Sequence, residues 1–338
     1  MIRPKVTFRK AVSLIDSSPL KPFHGTIERS ARLITQLLCL LILWETSAIE
    51  LQSIASGDET TTQQNATQPS QASLLSKPQF IHNGVTAHRG NSGEFPENTL
   101  PAFESGIAVG ADWIELDLFK TADGKLVVIH DTSTKRTGLI DLPITGTSLL
   151  KLQTVDVASE FRQRRALSLK ACPPAQVPLL EDVLGMVIQQ NRTRVSIQPK
   201  MDCVGEAIEL ISEMNAIAWV GFNDGNLMLM KKVKQLSPSI PVFWDRGAST
   251  KIAEDVKQAT SHGFDALVFN ASGITKQKIE LAKAANLQVG AWTVNDPKEM
   301  KQLLDMGVER IYTDFPSRLL EILKQDDHSP LSKSTDGS

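Results

Sequence analysis

Between Phe80 and Leu323 the chain alternates short β-rich runs with amphipathic segments, and this alternation constrains the fold more than any other feature. Residues 85–87, 113–118, 194–198, 219–222, 242–244, 266–269, 289–292 and 310–312 read as strands. Helical patterns such as 205–214, 251–261, 275–285 and 297–306 separate them, and Asp296-Pro297 and Gly307 start and stop the last of these by ordinary capping chemistry. Asp123-Gly124 sits between alternating apolar residues as a hairpin turn. Strand followed by helix, about eight times over roughly 240 residues, predicts an α/β chain folded as a (β/α)8 TIM barrel with a small insertion after the second strand. A doubly wound open sheet is the alternative. No G-x-G-x-x-G follows a strand and no G-x-x-x-x-G-K-[ST] occurs, so the usual nucleotide-cradling loops are missing. A G-x-S-x-G elbow is also absent, which argues against an α/β-hydrolase.

A barrel of that length leaves part of the 338 residues unexplained, and charge shows where. The whole chain carries 36 Lys and Arg against 38 Asp and Glu, which excludes a general nucleic-acid binder. Residues 1–48 hold seven of the cations and three of the acids, so the remainder has a net charge of -6. The cationic head runs into the apolar residues 33–44, which have the length of a signal-peptide core and fall short of the ~20 residues of a spanning helix. Residues 1–48 are therefore read as an export signal or N-terminal anchor, with an ordinary buried amphipathic segment as the alternative. The expected location is exported, periplasmic or extracellular, with membrane contact through that segment if it is retained. Residues 49–79, rich in Ser, Thr, Gln and Asn, cannot bury enough apolar surface to offset their ordering entropy and read as a flexible linker. The folded domain is placed at 80–324 and a frayed tail at 325–338. Cys172 and Cys203 could pair after export or stand as two separate thiols.

In a barrel the chemistry lies at the C-terminal ends of the strands, and the unusual polar residues fall there. His88-Arg89 ends the first run, and Glu115 and Asp117 share one face of the second through their i, i+2 spacing. His130-Asp131 closes the run after the hairpin, Gln198 and Lys200 end the third strand, and Trp292 ends the seventh. Each has an ordinary structural explanation when taken singly; their joint occurrence at strand ends does not. Paired carboxylates suit a hard cation such as Mg²⁺ or Ca²⁺, Arg and Lys suit a phosphate, and two imidazoles can share acid and base roles in P–O cleavage.

These residues sit within a series of motifs. Ala87-His88-Arg89-Gly90, Pro96-Glu97-Asn98-Thr99, Gly110-Ala111-Asp112, Ile114-Glu115-Leu116-Asp117, His130-Asp131, Arg136-Thr137, Ala291-Trp292-Thr293-Val294-Asn295 and Tyr312-Thr313-Asp314-Phe315-Pro316 occur in that order. In this the chain resembles the glycerophosphodiester phosphodiesterases over about residues 85–324. The resemblance implies a (β/α)8 barrel that hydrolyses glycerophosphodiesters to sn-glycerol 3-phosphate and an alcohol with a divalent cation. It makes His88 and His130 the acid/base pair, Arg89 and Lys200 the phosphate partners, and Glu115 and Asp117 metal ligands. Glu97 and Asn98 would shape the site through hydrogen bonds, and Trp292 would line the substrate pocket.

One position departs from the family pattern: Gln198 stands where the third-strand motif normally carries a Glu ligand. An amide oxygen is still a hard ligand but brings no charge, so weaker cation binding is expected. That substitution motivates a second reading, a catalytically degenerate barrel that binds phosphodiester head groups; a phospholipase-type phosphodiesterase is a third. The insertion contains Arg162, Arg164 and Arg165, which read either as a solvated basic surface or as a contact for an anionic head group.

Overall fold

The computed structural model describes residues 78–327. The readings placed on residues 1–77, namely the export segment, most of the linker and any membrane contact, lie outside the described residues. Among the described residues no helix is long and apolar enough to cross a membrane.

Nine strands form one sheet: β1 (Val85–Ala87), β2 (Trp113–Lys120), β3 (Leu126–Val128), β4 (Arg194–Pro199), β5 (Val220–Asp224), β6 (Val242–Arg246), β7 (Ala266–Asn270), β8 (Gln288–Trp292) and β9 (Arg310–Thr313). Eight of them are parallel neighbours in the order β1-β9-β8-β7-β6-β5-β4-β2, and the β1–β2 pairing closes the ring. This is the expected (β/α)8 barrel, and the closure excludes the open doubly wound sheet. β3 is the exception: it pairs antiparallel with β2 across the Asp123-Gly124 turn, where Gly124 takes φ 78°.

The alternation of side chains along each strand separates two environments. Ile114, Leu116 and Leu118 of β2 and Val195 and Ile197 of β4 face outward into the main core with the surrounding helices. Trp113, Phe243, Ala266, Val268 and Tyr312 form a separate cluster inside the barrel. Glu115 and Asp117 share the inward face with Trp113 and are both 1% exposed, so the barrel interior carries charge above an aromatic floor.

Helix Pro297–Asp305 shows how local sequence sets these elements. Asp296 caps it by accepting from the Lys298 and Glu299 amides, and Pro297 occupies the first turn, where no donor is lost. Gly307 at φ 95° reverses the chain, and the Val308 amide returns to the Leu303 carbonyl. The final helix, Pro316–Asp327, packs Ile322 and Leu323 against the core and continues three residues past the expected domain end; the rest of the expected tail, 328–338, lies outside the described residues.

The insertion follows β3 and contains three short helices, Lys135–Gly138, Leu149–Leu152 and Ser159–Arg164. It has its own apolar centre, in which Ile144, Leu152, Val155, Val157 and Val177 pack on Phe119, Val127 and Ile129. Arg164 and Arg165 are exposed, as a solvated basic surface would have them, and Arg162 is half-buried. Arg162 pairs with Asp156 and donates to the Cys172 carbonyl, Arg164 pairs with Glu160, and Arg165 donates to the Gly93 carbonyl beside the barrel mouth. Cys172 and Cys203 are both buried and unpaired; burial pushes the Cys203 thiol up to about 12.

Candidate active site

The C-terminal ends of the strands surround a cavity of about 560 Å³. His88, Arg89, Glu115, His130, Gln198, Lys200 and Trp292 all contribute to its wall. Asp117 lies behind that wall at 1% exposure, and Glu97 and Asn98 support it from the loop after β1.

That loop is forced into shape by its backbone. Arg89 and Asn98 both take positive φ, 56° and 54°, in the left-handed region that non-glycine residues rarely occupy. Gly90 follows at φ 78°, and a Cβ there would lie 2.6 Å from the Ala102 carbonyl carbon, so no larger residue fits. The result is a tight turn that points the Arg89 amide at Glu115 Oε2, 2.9 Å away, while the Arg89 side chain bonds Glu97 Oε1 at 2.9 Å and approaches Asp117 Oδ2 at 3.3 Å.

His88 is fixed by Asp314 from the end of β9, with Nδ1 2.7 Å from Oδ1. Asp314 in turn accepts from Ser92 Oγ at 3.0 Å and from Asn295 Nδ2 at 2.6 Å. Burial opposes a charge on His88, but the Asp314 hydrogen bond and the nearby Glu115 carboxylate outweigh it and hold the imidazole above its ordinary value. His130 differs. Its Nδ1 lies 2.6 Å from Asp131 Oδ1, yet burial dominates and lowers its pKa. Asp131 and Glu97 are joined by Arg136, which bonds Asp131 at 2.6 Å and Glu97 twice at 2.7 Å. Arg136 therefore ties the insertion to the β1 loop and links the support of His130 to that of Arg89.

Asp117 is a buried carboxylate with three side-chain partners. It accepts from Asn98 Nδ2 at 2.7 Å and pairs with Lys200 Nζ at 2.8 Å, and its own amide donates to Asn98 Oδ1 at 3.2 Å. Against the burial that would raise it, Lys200 and Arg89 hold its carboxyl below the usual range. Lys200 also donates to Gln198 Oε1, which the strand register places beside Asp117. Glu115 has less compensation. Burial, then the neighbouring Asp117, push it up to about 7. A cavity-facing carboxylate raised in this way, next to a second carboxylate and an amide oxygen, is a donor set suited to a hard cation. Among the described residues no three His, Cys, Asp or Glu side chains surround one point as a metal cage.

Sequence reasoning did not find Asp245. It projects from β6 into the same cavity wall and accepts through Oδ2 from Gln198 Nε2 at 3.1 Å and Asn223 Nδ2 at 3.2 Å, while Oδ1 has no partner. Burial raises its pKa to about 8. The unfolded chain ionises this group near 3.8, so its contribution to stability is present below about pH 4 and lost as pH rises toward 8. Asp245→Asn keeps the accepting oxygen and removes the titration. In EDTA it should be more stable than the parent at pH 8 by on the order of 2 kcal/mol, about 4–8 °C in Tm, with the difference closing by about pH 4. Thermal melts across that pH range test this; a pH-independent difference would contradict it.

The sequence from residue 88 to 318 matches the Glycerophosphoryl diester phosphodiesterase family. A glycerophosphodiester phosphodiesterase from Bacillus altitudinis is 30% identical over 258 residues, covering 71% of this chain and 98% of that protein. In fold, the chain is similar to a glycerophosphodiester phosphodiesterase from Agrobacterium tumefaciens, with a TM-score of 0.60 and 21% identity over 71% of this chain and 99% of the other. It is also similar to a phosphodiesterase from Oleispira antarctica solved with the product sn-glycerol-3-phosphate, with a TM-score of 0.61 and 24% identity over 71% and 96% of the two chains. With the barrel, the ordered motifs and a match across most of the folded residues, this chain belongs to the glycerophosphoryl diester phosphodiesterase family.

Proposed function

We propose that this protein hydrolyses glycerophosphodiesters to sn-glycerol 3-phosphate and an alcohol, with His88 and His130 as the acid/base pair and a divalent cation at the carboxylate face. The observation that carries this reading is the convergence of two imidazoles, Arg89, Lys200 and Glu115 on one cavity at the catalytic end of a barrel. Environments that push two like groups apart favour different roles for them. His88, whose charged form is favoured by Asp314, is suited to donate; His130, whose neutral form is favoured by burial, is suited to accept.

The reaction then runs in two balanced halves. His130 takes the proton of the substrate's neighbouring hydroxyl as its oxygen bonds to phosphorus, and His88 gives its proton to the departing alcohol oxygen as that P–O bond breaks. Water then attacks the cyclic phosphodiester with the roles reversed. His88 takes the water proton, and His130 returns its own to the ring oxygen that leaves phosphorus. Arg89 and Lys200 offer charged donors to the phosphoryl oxygens. The residues that would hold Mg²⁺ or Ca²⁺ are Glu115, Asp117 and Gln198, and the ion would offset negative charge on the phosphate. The cationic head and apolar run of residues 1–44 support an exported or membrane-held enzyme.

The test is incubation of the purified protein with glycerophosphocholine and Mg²⁺, Ca²⁺ or EDTA, following release of glycerol 3-phosphate. Turnover with a divalent cation and its loss in EDTA are expected. Folded protein that yields no product with either ion would overturn the reading in favour of a barrel that binds without turnover.

A further inference from the structure

The barrel has a second cavity at its other end, also of about 560 Å³. Trp113, Arg194, Gln288 and Arg310, each at the start of its strand, line it together with Phe243 and Phe264. Most of the wall is polar and its apolar part is aromatic: Trp113 and Phe243 meet edge to face with ring centres 5.1 Å apart. Between them lies the guanidinium of Arg310, 3.9 Å from the Phe243 centroid and 5.0 Å from that of Trp113. Arg310 is 5% exposed, and its Nε and Nη1 are buried without a hydrogen-bond partner.

The carboxylates around this cavity are already committed. Asp112 pairs with Arg194, Asp265 with Lys234 at 2.8 Å, and Glu309 with Lys283 at 3.8 Å. Arg310, whose polar neighbour is Tyr312 on its own strand, forms no ion pair with any of them. Burying a charge without a counter-charge is costly, and an orphaned buried donor calls for a group that completes it. We infer that the N-terminal end of the barrel is a second ligand site, which takes an organic anion with one negative charge and an apolar body. The fork of Arg310 matches a carboxylate, and the Trp113, Phe243 and Phe264 rings take the apolar part. A single charge balances the single excess cation, whereas a dianion such as phosphate would meet Asp112, Asp265 and Glu309 at the rim.

Benzoate is the probe, with acetate and inorganic phosphate as comparators, titrated into the full chain by calorimetry and thermal melting. Benzoate is expected to bind, to raise Tm, and to bind about tenfold or more tightly than either comparator. Arg310→Met should abolish the benzoate response while glycerophosphodiester turnover stays at the parent level, because Arg310 lines the second cavity and not the catalytic one. Arg310→Lys keeps the charge and loses the fork, and should weaken benzoate by about tenfold; it carries the comparison if the Met variant does not fold. Absent binding, equal affinity in the variants, tighter phosphate binding, or competition between benzoate and the phosphodiester substrate would each overturn the proposal.

Discussion

Replacing His88 with glutamine should lower turnover of glycerophosphocholine by about 10²–10⁴-fold with little change in Tm, the range expected when a positioned proton donor is removed. The size follows from what surrounds the ring. His88 is one of two imidazoles in the cavity wall, and His130, hydrogen-bonded to Asp131 and shifted down by burial, is already engaged as the proton acceptor and does not donate in the same step. The neighbour to test with it is Asp314, which touches His88 and not the cavity, and is therefore a positioning residue. Asp314→Asn keeps the shape of the Ser92 and Asn295 contacts but removes the charge. Burial then acts on His88 without its main opponent and its pKa falls. If the protonated ring is the working form, activity is lost as pH rises through that pKa, so the alkaline limb of the pH–rate profile should move to lower pH in Asp314→Asn. A merely structural Asp314 would lower the rate at every pH and leave the limb in place.

How much of this was legible in the sequence depended on whether the information was local. Strand periodicity and the i, i+2 spacing put Glu115 with Asp117, and Gln198 with Lys200, on one inward face, and the barrel did the rest. The hairpin needed only Asp123-Gly124, and the last barrel helices only their caps. Asp245 could not be found this way. In Val242–Arg246 it reads as a strand's polar end, and its importance comes from burial and from two amides on other strands. Of the three insertion arginines, Arg164 and Arg165 stay on the surface as their sequence suggests, while the partners of Arg162, the Asp156 carboxylate and the Cys172 carbonyl, are brought close only by folding. Asp117 shows the same limit in a different form. Its residue type and spacing suggest a cation ligand, and only the fold adds that it is also shared among Asn98, Arg89 and Lys200.

That sharing makes Asp117→Ala the most damaging substitution for stability. Removing one partner from a buried ion pair leaves the others charged and desolvated, at a cost of about 3–5 kcal/mol, or roughly 6–20 °C in Tm. Here two cations, Arg89 and Lys200, lose their common acceptor at once. The pH dependence gives the sign an independent check. Asp117 is held below its ordinary value of 3.8, so its stabilisation is fully present above about pH 4 and is lost as pH falls through the folded-state pKa. The parent should therefore converge on the Asp117→Ala variant under acid conditions. A double-mutant cycle with Lys200→Met separates the pair from its surroundings, since removing both charges should cost less than the sum of the single changes. Additive effects in that cycle would mean that Lys200 does not depend on Asp117, and the 2.8 Å contact would then lose its role as the support that holds a phosphate-binding lysine at the barrel mouth.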